Sequence, residues 1–296
     1  MRAVRIDRHG GPDVLTLTTI PDPPRGAGEV VVRTVASSLN PVDWKTRAWD
    51  IGAVPATLGW DLAGIVLAGD HPDYRPGDAV VAMSAQIATG RGTWAEQVAL
   101  PAALLAHAPT TVSLAQAATL PLAGLTARQA LDALAVEPEQ RVLVTGAAGG
   151  VGGLAVQLCR HAGARVDALV SRPEHLDAAR DLGADEVVAD PKALPSQAYS
   201  AVLDTAGVDV AAALAPGGRY VSISDNPLPD IAAARRSYVQ ENGAQLAELV
   251  RLVDAGQLRL RVAATYPVEQ VRAAHERFEG GGLLGKIVLS FGGPRA

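Results

Sequence analysis

The sequence predicts a two-domain α/β protein in which an antiparallel β domain precedes a parallel sheet flanked by helices. The length of 296 residues favours two domains of roughly 150 residues each. Up to about Pro109 short apolar runs alternate with turn-forming residues, whereas from about Ser113 strands alternate with helices. The second pattern is typical of a parallel sheet with right-handed crossovers.

The first pattern consists of short strands with turns between them. Its apolar runs are 29–36, 63–69, 78–83 and 94–100. Turn formers separate these runs at 21–24, 71–73 and 75–78. Many short strands at this spacing predict an antiparallel barrel or sandwich.

The second pattern places strands and helices in turn. In order, we predict helix 114–135, strand 141–145, helix 150–162, strand 165–170, helix 173–182 and strands 186–188, 201–204 and 219–223. The tail then carries helices 243–255 and 268–279, a glycine turn at 280–282 and a strand at 286–291. Because the parallel pattern has ended by then, we expect this last strand to return to the first domain.

Composition excludes several classes of protein. Lys and Arg total 26 against 31 Asp and Glu, a net charge of −5, which argues against a nucleic-acid binder. The single cysteine, Cys159, excludes an intramolecular disulfide and a multi-cysteine metal site. The sequence shows neither an apolar run of the ~18 residues that a membrane span needs nor the apolar segment of a signal peptide. We therefore expect a cytoplasmic protein that binds neither nucleic acid nor membrane.

Residues 141–163 carry the clearest functional motif. An apolar strand at 142–144 leads into a glycine turn at 146–153, and an amphipathic helix follows. This order places free backbone amides and the positive end of a helix where a pyrophosphate can bind. The motif predicts a dinucleotide site, with a turn needed only for close packing as the alternative. Its predicted cofactor contacts are Gly146, Ala148, Gly149, Gly150, Val151 and Gly152.

The end of the next strand indicates which dinucleotide binds. NAD sites usually place an acidic residue there to bind the ribose 2′-hydroxyl, whereas this chain has Ser171 and Arg172. A hydroxyl and a guanidinium suit the 2′-phosphate of NADPH, because arginine can donate two parallel hydrogen bonds to it. The alternative is a loop serine with a solvated arginine. Asp190 would repel the phosphate if it lay close.

These motifs, with several others, resemble the zinc-independent quinone oxidoreductase branch of the medium-chain dehydrogenase/reductase superfamily. The segments that carry the resemblance are 29–47, 58–66, 75–81, 117–131, 142–152, 182–188, 202–207, 215–223 and 283–291. The resemblance implies a GroES-like β-barrel domain at 1–113 and a doubly wound Rossmann sheet that binds NADP(H) at 114–262. It also implies a return to the first domain at 263–296.

The resemblance implies hydride transfer from NADPH to a small-molecule quinone or to the activated double bond of an enone. Related zinc alcohol dehydrogenases have metal ligands where this chain has 39–41 and 59–61, so no metal is expected. Without a Lewis acid, a conjugated acceptor can still spread the incoming charge onto its oxygen. The alternatives are a non-enzymatic NADPH-binding or structural protein of the same fold, and a reductase serving one biosynthetic pathway.

Three residues near the expected nicotinamide end are implied to take part in catalysis. Asn40 is expected to bond the cofactor or the substrate oxygen, and Lys45 to support negative charge on that oxygen. The alternatives are an asparagine that caps a turn before Pro41 and a solvated lysine. Trp44 stands where relatives carry a tyrosine, and its indole can only donate a hydrogen bond.

Further cofactor contacts are expected at the carboxyl ends of the parallel strands, where ligands of such sheets bind. Asp204 and Thr205 end one strand, and Ser222 and Ile223 end another. Asp204 could equally cap a turn.

The resemblance adds two more cofactor contacts. It places Thr126 near the nicotinamide and Lys286 near the pyrophosphate. The alternatives are a threonine bonded within its own helix and a surface lysine that flanks the last strand.

The resemblance also implies a homodimer, because relatives often join Rossmann sheets edge to edge and so hide an exposed strand edge. Residues 237–240 are the candidate edge strand, with charged and polar residues on both sides. These flanks could equally protect the edge of a monomer.

Overall fold

The computed structural model describes residues 1–292, and short 3-10 turns aside it contains sixteen strands and seven α-helices in that range. The strands are β1 (Arg2–Ile6), β2 (Thr16–Thr19), β3 (Glu29–Ser38), β4 (Ala56–Thr57), β5 (Asp61–Ala68), β6 (Ala79–Met83), β7 (Gln97–Pro101), β8 (Leu105–His107), β9 (Arg141–Thr145), β10 (Arg165–Leu169), β11 (Glu186–Val188), β12 (Tyr199–Asp204), β13 (Leu214–Ser222), β14 (Ala234–Arg236), β15 (Val262–Pro267) and β16 (Lys286–Ser290). The helices are α1 (Pro41–Ala48), α2 (Leu114–Ala117), α3 (Pro121–Leu134), α4 (Gly150–His161), α5 (Leu176–Arg180), α6 (Gly243–Asp254) and α7 (Val271–Glu279).

Six parallel strands form the sheet of the second domain. Their order is β11-β10-β9-β12-β13-β14. The strands β10 and β12 lie on opposite sides of β9, which is the switch point of a doubly wound sheet. The predicted Rossmann sheet is confirmed, and ligands of such sheets bind outside the carboxyl ends of the strands at this point.

The first domain contains two further sheets. One has the order β15-β16-β3-β5-β6-β8, with β7 also paired to β3, and the other has the order β2-β1-β4. The pairings among β3, β5, β6, β7 and β8 are antiparallel, as the short apolar runs predict. The predicted antiparallel domain is therefore present. Among the strands of residues 1–292 its larger sheet runs from β15 to β8 without closing into a ring.

The last strand returns to the first domain, as predicted. It pairs antiparallel with β3, where Leu289 lies opposite Ser37. Ile287 and Leu289 are fully buried in a cluster that includes Leu39. This return brings Lys286, the first residue of β16, into the cleft between the domains. The last four residues of the segment 263–296 lie outside the described part of the chain.

The predicted helix 114–135 is divided into α2 and α3. Pro121 occupies the first position of α3, where its missing amide hydrogen costs nothing and its fixed φ suits the start of a helix. The predicted helix 173–182 contains only α5, preceded by a 3-10 turn that begins at Pro173.

The prediction of an edge strand at 237–240 is wrong. The edge strand is β14, three residues earlier, and it pairs with β13 through Ala234. The residues of β14 have little β propensity of their own, so the neighbouring strand decides where pairing occurs.

Candidate active site

Two glycines of the turn after β9 have no room for a side chain. Gly146 has φ +62°, a left-handed conformation that favours glycine, and a Cβ there would lie 2.5 Å from Thr205 Oγ1. A Cβ at Gly152 would lie 2.3 Å from the Gly146 carbonyl oxygen. These close approaches bring the start of α4 against the end of β9.

The start of α4 offers donors to an anion. Gly149 is the N-cap and Gly150 the first residue of the helix. The first amides of an α-helix have no acceptor within the helix, and the helix dipole adds positive potential there. The amides of Gly150, Val151 and Gly152 therefore suit a pyrophosphate group.

We expect Gly152→Ala to lower the free energy of unfolding by about 1–3 kcal/mol, because the new methyl group meets backbone atoms that cannot move aside. Gly149→Ala is the matched control, since its Cβ would lie 3.2 Å from the nearest atom, the Gly146 carbonyl oxygen. Urea unfolding measures both. Equal losses for the two variants would show that the close approach at Gly152 does not constrain the turn.

A cavity of about 340 Å³ opens in front of the glycine turn, between the two domains. We call it the cofactor cleft. Its wall contains the predicted residues Asn40, Gly146, Ala148, Gly149, Gly150, Val151, Gly152, Ser171, Thr205, Ile223 and Lys286. The structure thus brings most of the predicted cofactor contacts around one cavity, which fits a nicotinamide dinucleotide whose pyrophosphate lies at the start of α4.

Asp204 and Ser222 form hydrogen bonds that hold the turn after β12 in place. The Asp204 carboxylate is buried and accepts from Thr145 Oγ1 at 2.6 Å, Ser222 Oγ at 2.8 Å and the backbone amide of Gly207 at 2.9 Å. Thr205 Oγ1 donates to the Thr145 carbonyl at 2.7 Å. Asp204 therefore caps the turn after β12, the alternative stated above, and its oxygens hold the switch-point loops together.

Asp61 organises the first-domain side of the cleft, and we did not predict it as a site residue. The side chain is fully buried at the start of β5. Its Oδ2 accepts from Ser38 Oγ at 2.5 Å and from Asn40 Nδ2 at 2.8 Å. Its Oδ1 accepts from the backbone amide of Leu122 at 2.7 Å. The signal in the sequence is an acid inside the apolar run 58–66, because a buried charge requires partners.

Lys286 crosses the glycine turn to reach Asp61. A Cβ on Gly150 would lie 2.9 Å from Lys286 Cγ, so the lysine stem lies against the first residue of α4. Its Nζ is 3.0 Å from Asp61 Oδ2 and also donates to Asn40 Oδ1. The side chain is buried, which rules out the surface-lysine alternative. An ammonium has three N–H groups, so one remains for an anionic group in the cleft.

Asn40 both faces the cleft and is the N-cap of α1. Its backbone amide donates to Asp43 Oδ2 at 2.7 Å. Asp43 is fully buried, and burial, reinforced by the nearby charge of Asp61, raises the pKa of its carboxyl to about 8. The side chain is thus protonated at neutral pH, while Asp61 carries the charge that pairs with Lys286.

A second cavity, of about 350 Å³, adjoins the cofactor cleft and shares Pro41, Val151 and Ile223 with it. We call it the apolar pocket. Its wall includes Val42, Trp49, Ile51, Trp60, Ile87, Leu122, Tyr238 and Val239. Thr126 also lines it, and its Oγ1 donates to the Leu122 carbonyl at 2.6 Å, which is the within-helix bond of the alternative reading.

Lys45 lines the apolar pocket, whereas Trp44 is absent from its wall as described for residues 1–292. Lys45 Nζ lies 2.5 Å from Asp225 Oδ2, and it lies 5.7 Å from the centre of a Trp49 ring. The Trp44 ring packs edge to face on Trp49 with a centroid distance of 5.3 Å. Trp44 therefore supports the pocket wall rather than forming it.

Ser171 and Arg172 follow β10. Ser171 lines the cleft, and the Arg172 guanidinium lies beside Gly282, where a Cβ would be 2.6 Å from Nη1. The buried His175 also lines the cleft and was missed, although it follows Arg172 by only three residues.

The residues present do not fit a zinc ion. Within residues 1–292, no three or more His, Cys, Asp or Glu side chains are grouped to hold a metal. At Asp61 the Lys286 ammonium already supplies the positive charge. Cys159 is buried, and burial raises the pKa of its thiol to about 12, as expected for a packed core residue.

In the described part of the chain, no helix combines the length and apolar character that would let it span a membrane.

Comparison with known proteins places the chain in a family. Residues 26–110 match the alcohol dehydrogenase GroES-like domain, and residues 182–289 match the family described as zinc-binding dehydrogenase. The chain is 31% identical to a chloroplastic quinone oxidoreductase of Triphysaria versicolor, over 98% of each chain. It is 32% identical to an NADPH-dependent alkenal/one oxidoreductase of Arabidopsis thaliana, over 98% of this chain and 79% of the relative.

Solved structures agree with this result. The quinone oxidoreductase of Coxiella burnetii superposes with a TM-score of 0.87 at 29% identity, over 99% of each chain. The match to this solved structure extends over both domains of the chain. The chain therefore belongs to the quinone oxidoreductase branch of the medium-chain dehydrogenase/reductase superfamily, and it is an oxidoreductase of the kind that binds a nicotinamide cofactor.

Proposed function

We propose that the protein is an NADPH-dependent, metal-independent reductase of quinones or enones. The observation that carries the proposal is the shared wall of the cofactor cleft and the apolar pocket, formed by Pro41, Val151 and Ile223. A dinucleotide with its pyrophosphate at the start of α4 would present its nicotinamide at this wall. An acceptor in the apolar pocket would then lie beside the ring.

The chain's own residues would position the reactants and stabilise the negative charge that develops on the acceptor. When bound, the nicotinamide supplies a hydride. The apolar wall keeps water from the acceptor, and the negative charge that develops on the acceptor oxygen needs donors. Asn40 lies in the wall of the cofactor cleft and Lys45 in that of the apolar pocket, and we propose them as these donors.

Oxidation of NADPH by a panel of quinones and enones tests the proposal. Turnover of one class or the other supports it. Binding of NADPH without turnover of any acceptor would favour the second candidate, a non-enzymatic NADPH-binding protein of the same fold. A panel in which a single acceptor reacts would indicate a reductase dedicated to one biosynthetic pathway.

The choice of NADPH rests on Ser171 and Arg172 and on the NADPH dependence of the Arabidopsis thaliana relative. We expect Arg172→Ala to weaken NADPH binding by roughly 1.5–3 kcal/mol, as for a hydrogen bond to a charged group. NADH affinity should hardly change. Calorimetry with both cofactors measures the difference. Equal losses would show that Arg172 does not contact the 2′-phosphate.

Independence from metal is also part of the proposal. Chelator treatment should leave both activity and folding intact, because the donor set around Asp61 is occupied by an ammonium and a carboxamide. Stoichiometric zinc in the purified protein, lost together with activity, would overturn the proposed mechanism.

We further propose a homodimer in the cytoplasm, formed at the edge of the parallel sheet. The strand β14 has only β13 beside it among the described strands, and an exposed edge of this kind can pair with a second copy. Light scattering at micromolar concentration should give twice the chain mass of 30.5 kDa. A mass equal to that of one chain would contradict the dimer.

A further inference from the structure

Few charged residues line the apolar pocket. Among the described residues in its wall, the charged ones are Lys45 and Asp225. Lys45 belongs to α1 of the first domain, and Asp225 follows β13 of the second. The pair therefore joins the two domains at the pocket wall.

The two charges neutralise each other. Lys45 Nζ lies 2.5 Å from Asp225 Oδ2, with the side chains 21% and 41% exposed. The ammonium also lies over the Trp49 ring, at 5.7 Å from its centre. Arg236 is near this loop, but its guanidinium donates to the Asn226 carbonyl and does not line the pocket. The described wall thus offers no unmatched cation to attract an anionic substrate, although the Lys45 ammonium keeps further N–H groups that can donate to an acceptor oxygen.

We propose that the Lys45–Asp225 pair determines specificity by restricting the pocket to uncharged acceptors, an inference that rests on the proposed function. A carboxylate on the acceptor would have to compete with Asp225 for the ammonium and would lie beside a like charge. Specificity of this kind comes from a repulsive element as much as from an attractive one. Apart from hydroxyl groups such as those of Thr46, Thr126 and Ser237, the rest of the described wall is apolar, so it holds no second cation to pair with such a carboxylate.

The proposal predicts opposite effects for the two members of the pair. Asp225→Asn removes the competing carboxylate and frees the Lys45 ammonium, so kcat/KM for an anionic acceptor should rise relative to that for a neutral one. Lys45→Met leaves Asp225 without its partner, so kcat/KM for an anionic acceptor should fall further relative to that for a neutral one. Because both side chains are partly exposed, solvent weakens each effect, and we expect a change of about tenfold in either direction.

The test uses two acceptors with the same enone, 4-oxopent-2-enoate, which is anionic, and its methyl ester, which is neutral; their other differences are the same for every variant. The measured quantity is kcat/KM for the ester divided by kcat/KM for the acid, in which a general loss of activity cancels. We expect the ratio to fall about tenfold in Asp225→Asn and to rise in Lys45→Met. Asp177→Asn is the matched control, because it makes the same change of charge at the exposed Arg180–Asp177 pair of α5 and should leave the ratio as it is.

A binding measurement separates this inference from the proposed function. Calorimetry with 4-oxopentanoate and its methyl ester, the saturated products, reports the same preference without turnover. If no acceptor is reduced but Asp225→Asn strengthens binding of the acid relative to the ester, the inference holds and the proposed reaction fails. If the ratio is unchanged in both variants, or moves in the same direction in both, the pair does not set the specificity.

Discussion

Asp61→Ala is expected to lower the free energy of unfolding by about 3–5 kcal/mol, because it leaves the buried Lys286 ammonium without its counter-charge. It also removes the acceptor of Ser38, Asn40 and the Leu122 amide. Urea unfolding measures the loss. Asp177→Ala, which breaks an exposed ion pair, should cost no more than about 1 kcal/mol.

The double variant Asp61→Ala/Lys286→Met identifies the cause. If the loss comes from an uncompensated charge, the double variant costs less than the sum of the two single variants, because it leaves neither charge buried alone. Additive losses would mean that the two side chains stabilise the cleft independently, and the assignment of Asp61 as the partner of Lys286 would be wrong.

The glycine turn could be predicted from sequence because its signal is local. The strand, the turn and the helix follow one another within 141–163, and each glycine needed for the close approach of α4 lies inside that stretch. The same is true of the parallel strands, which are short apolar runs separated by helices. Where the prediction failed, at the edge strand 237–240, the pairing came from the neighbouring β13 rather than from the segment itself.

The cluster of residues that contact Asp61 could not be predicted, because no single stretch of sequence contains Ser38, Asn40, Leu122 and Lys286. Its members come from β3, the N-cap of α1, β5, α3 and β16, which the fold brings together from positions as far apart as Ser38 and Lys286. The pair Lys45–Asp225 is similar, since 180 positions separate the two residues. From the sequence alone, an acid inside an apolar run marks Asp61 as a candidate site residue. It does not identify the residues that contact it.

The buried Asp43 should make the stability of the protein fall with rising pH. Burial, with a further contribution from Asp61, raises the pKa of its carboxyl from 3.8 to about 8 in the folded protein. Between these values the folded state holds a proton that the unfolded state has lost, so the free energy of unfolding decreases as pH rises. The slope approaches about 1.4 kcal/mol for each pH unit, and the decrease ends once pH exceeds 8.

Asp43→Asn isolates this contribution, because its side chain keeps an acceptor oxygen for the Asn40 amide but does not titrate. All other carboxyl groups are common to the two proteins, so they cancel in the difference between their unfolding free energies. We expect that difference to shift in favour of Asp43→Asn by several kcal/mol, on the order of 1.4 kcal/mol per pH unit, between pH 5 and pH 8. Urea unfolding at several pH values in this range measures it. A difference that stays flat, or that shifts in favour of the parent protein as pH rises, would mean that Asp43 is ionised in the folded state and that two buried carboxylates, not one, face the Lys286 ammonium.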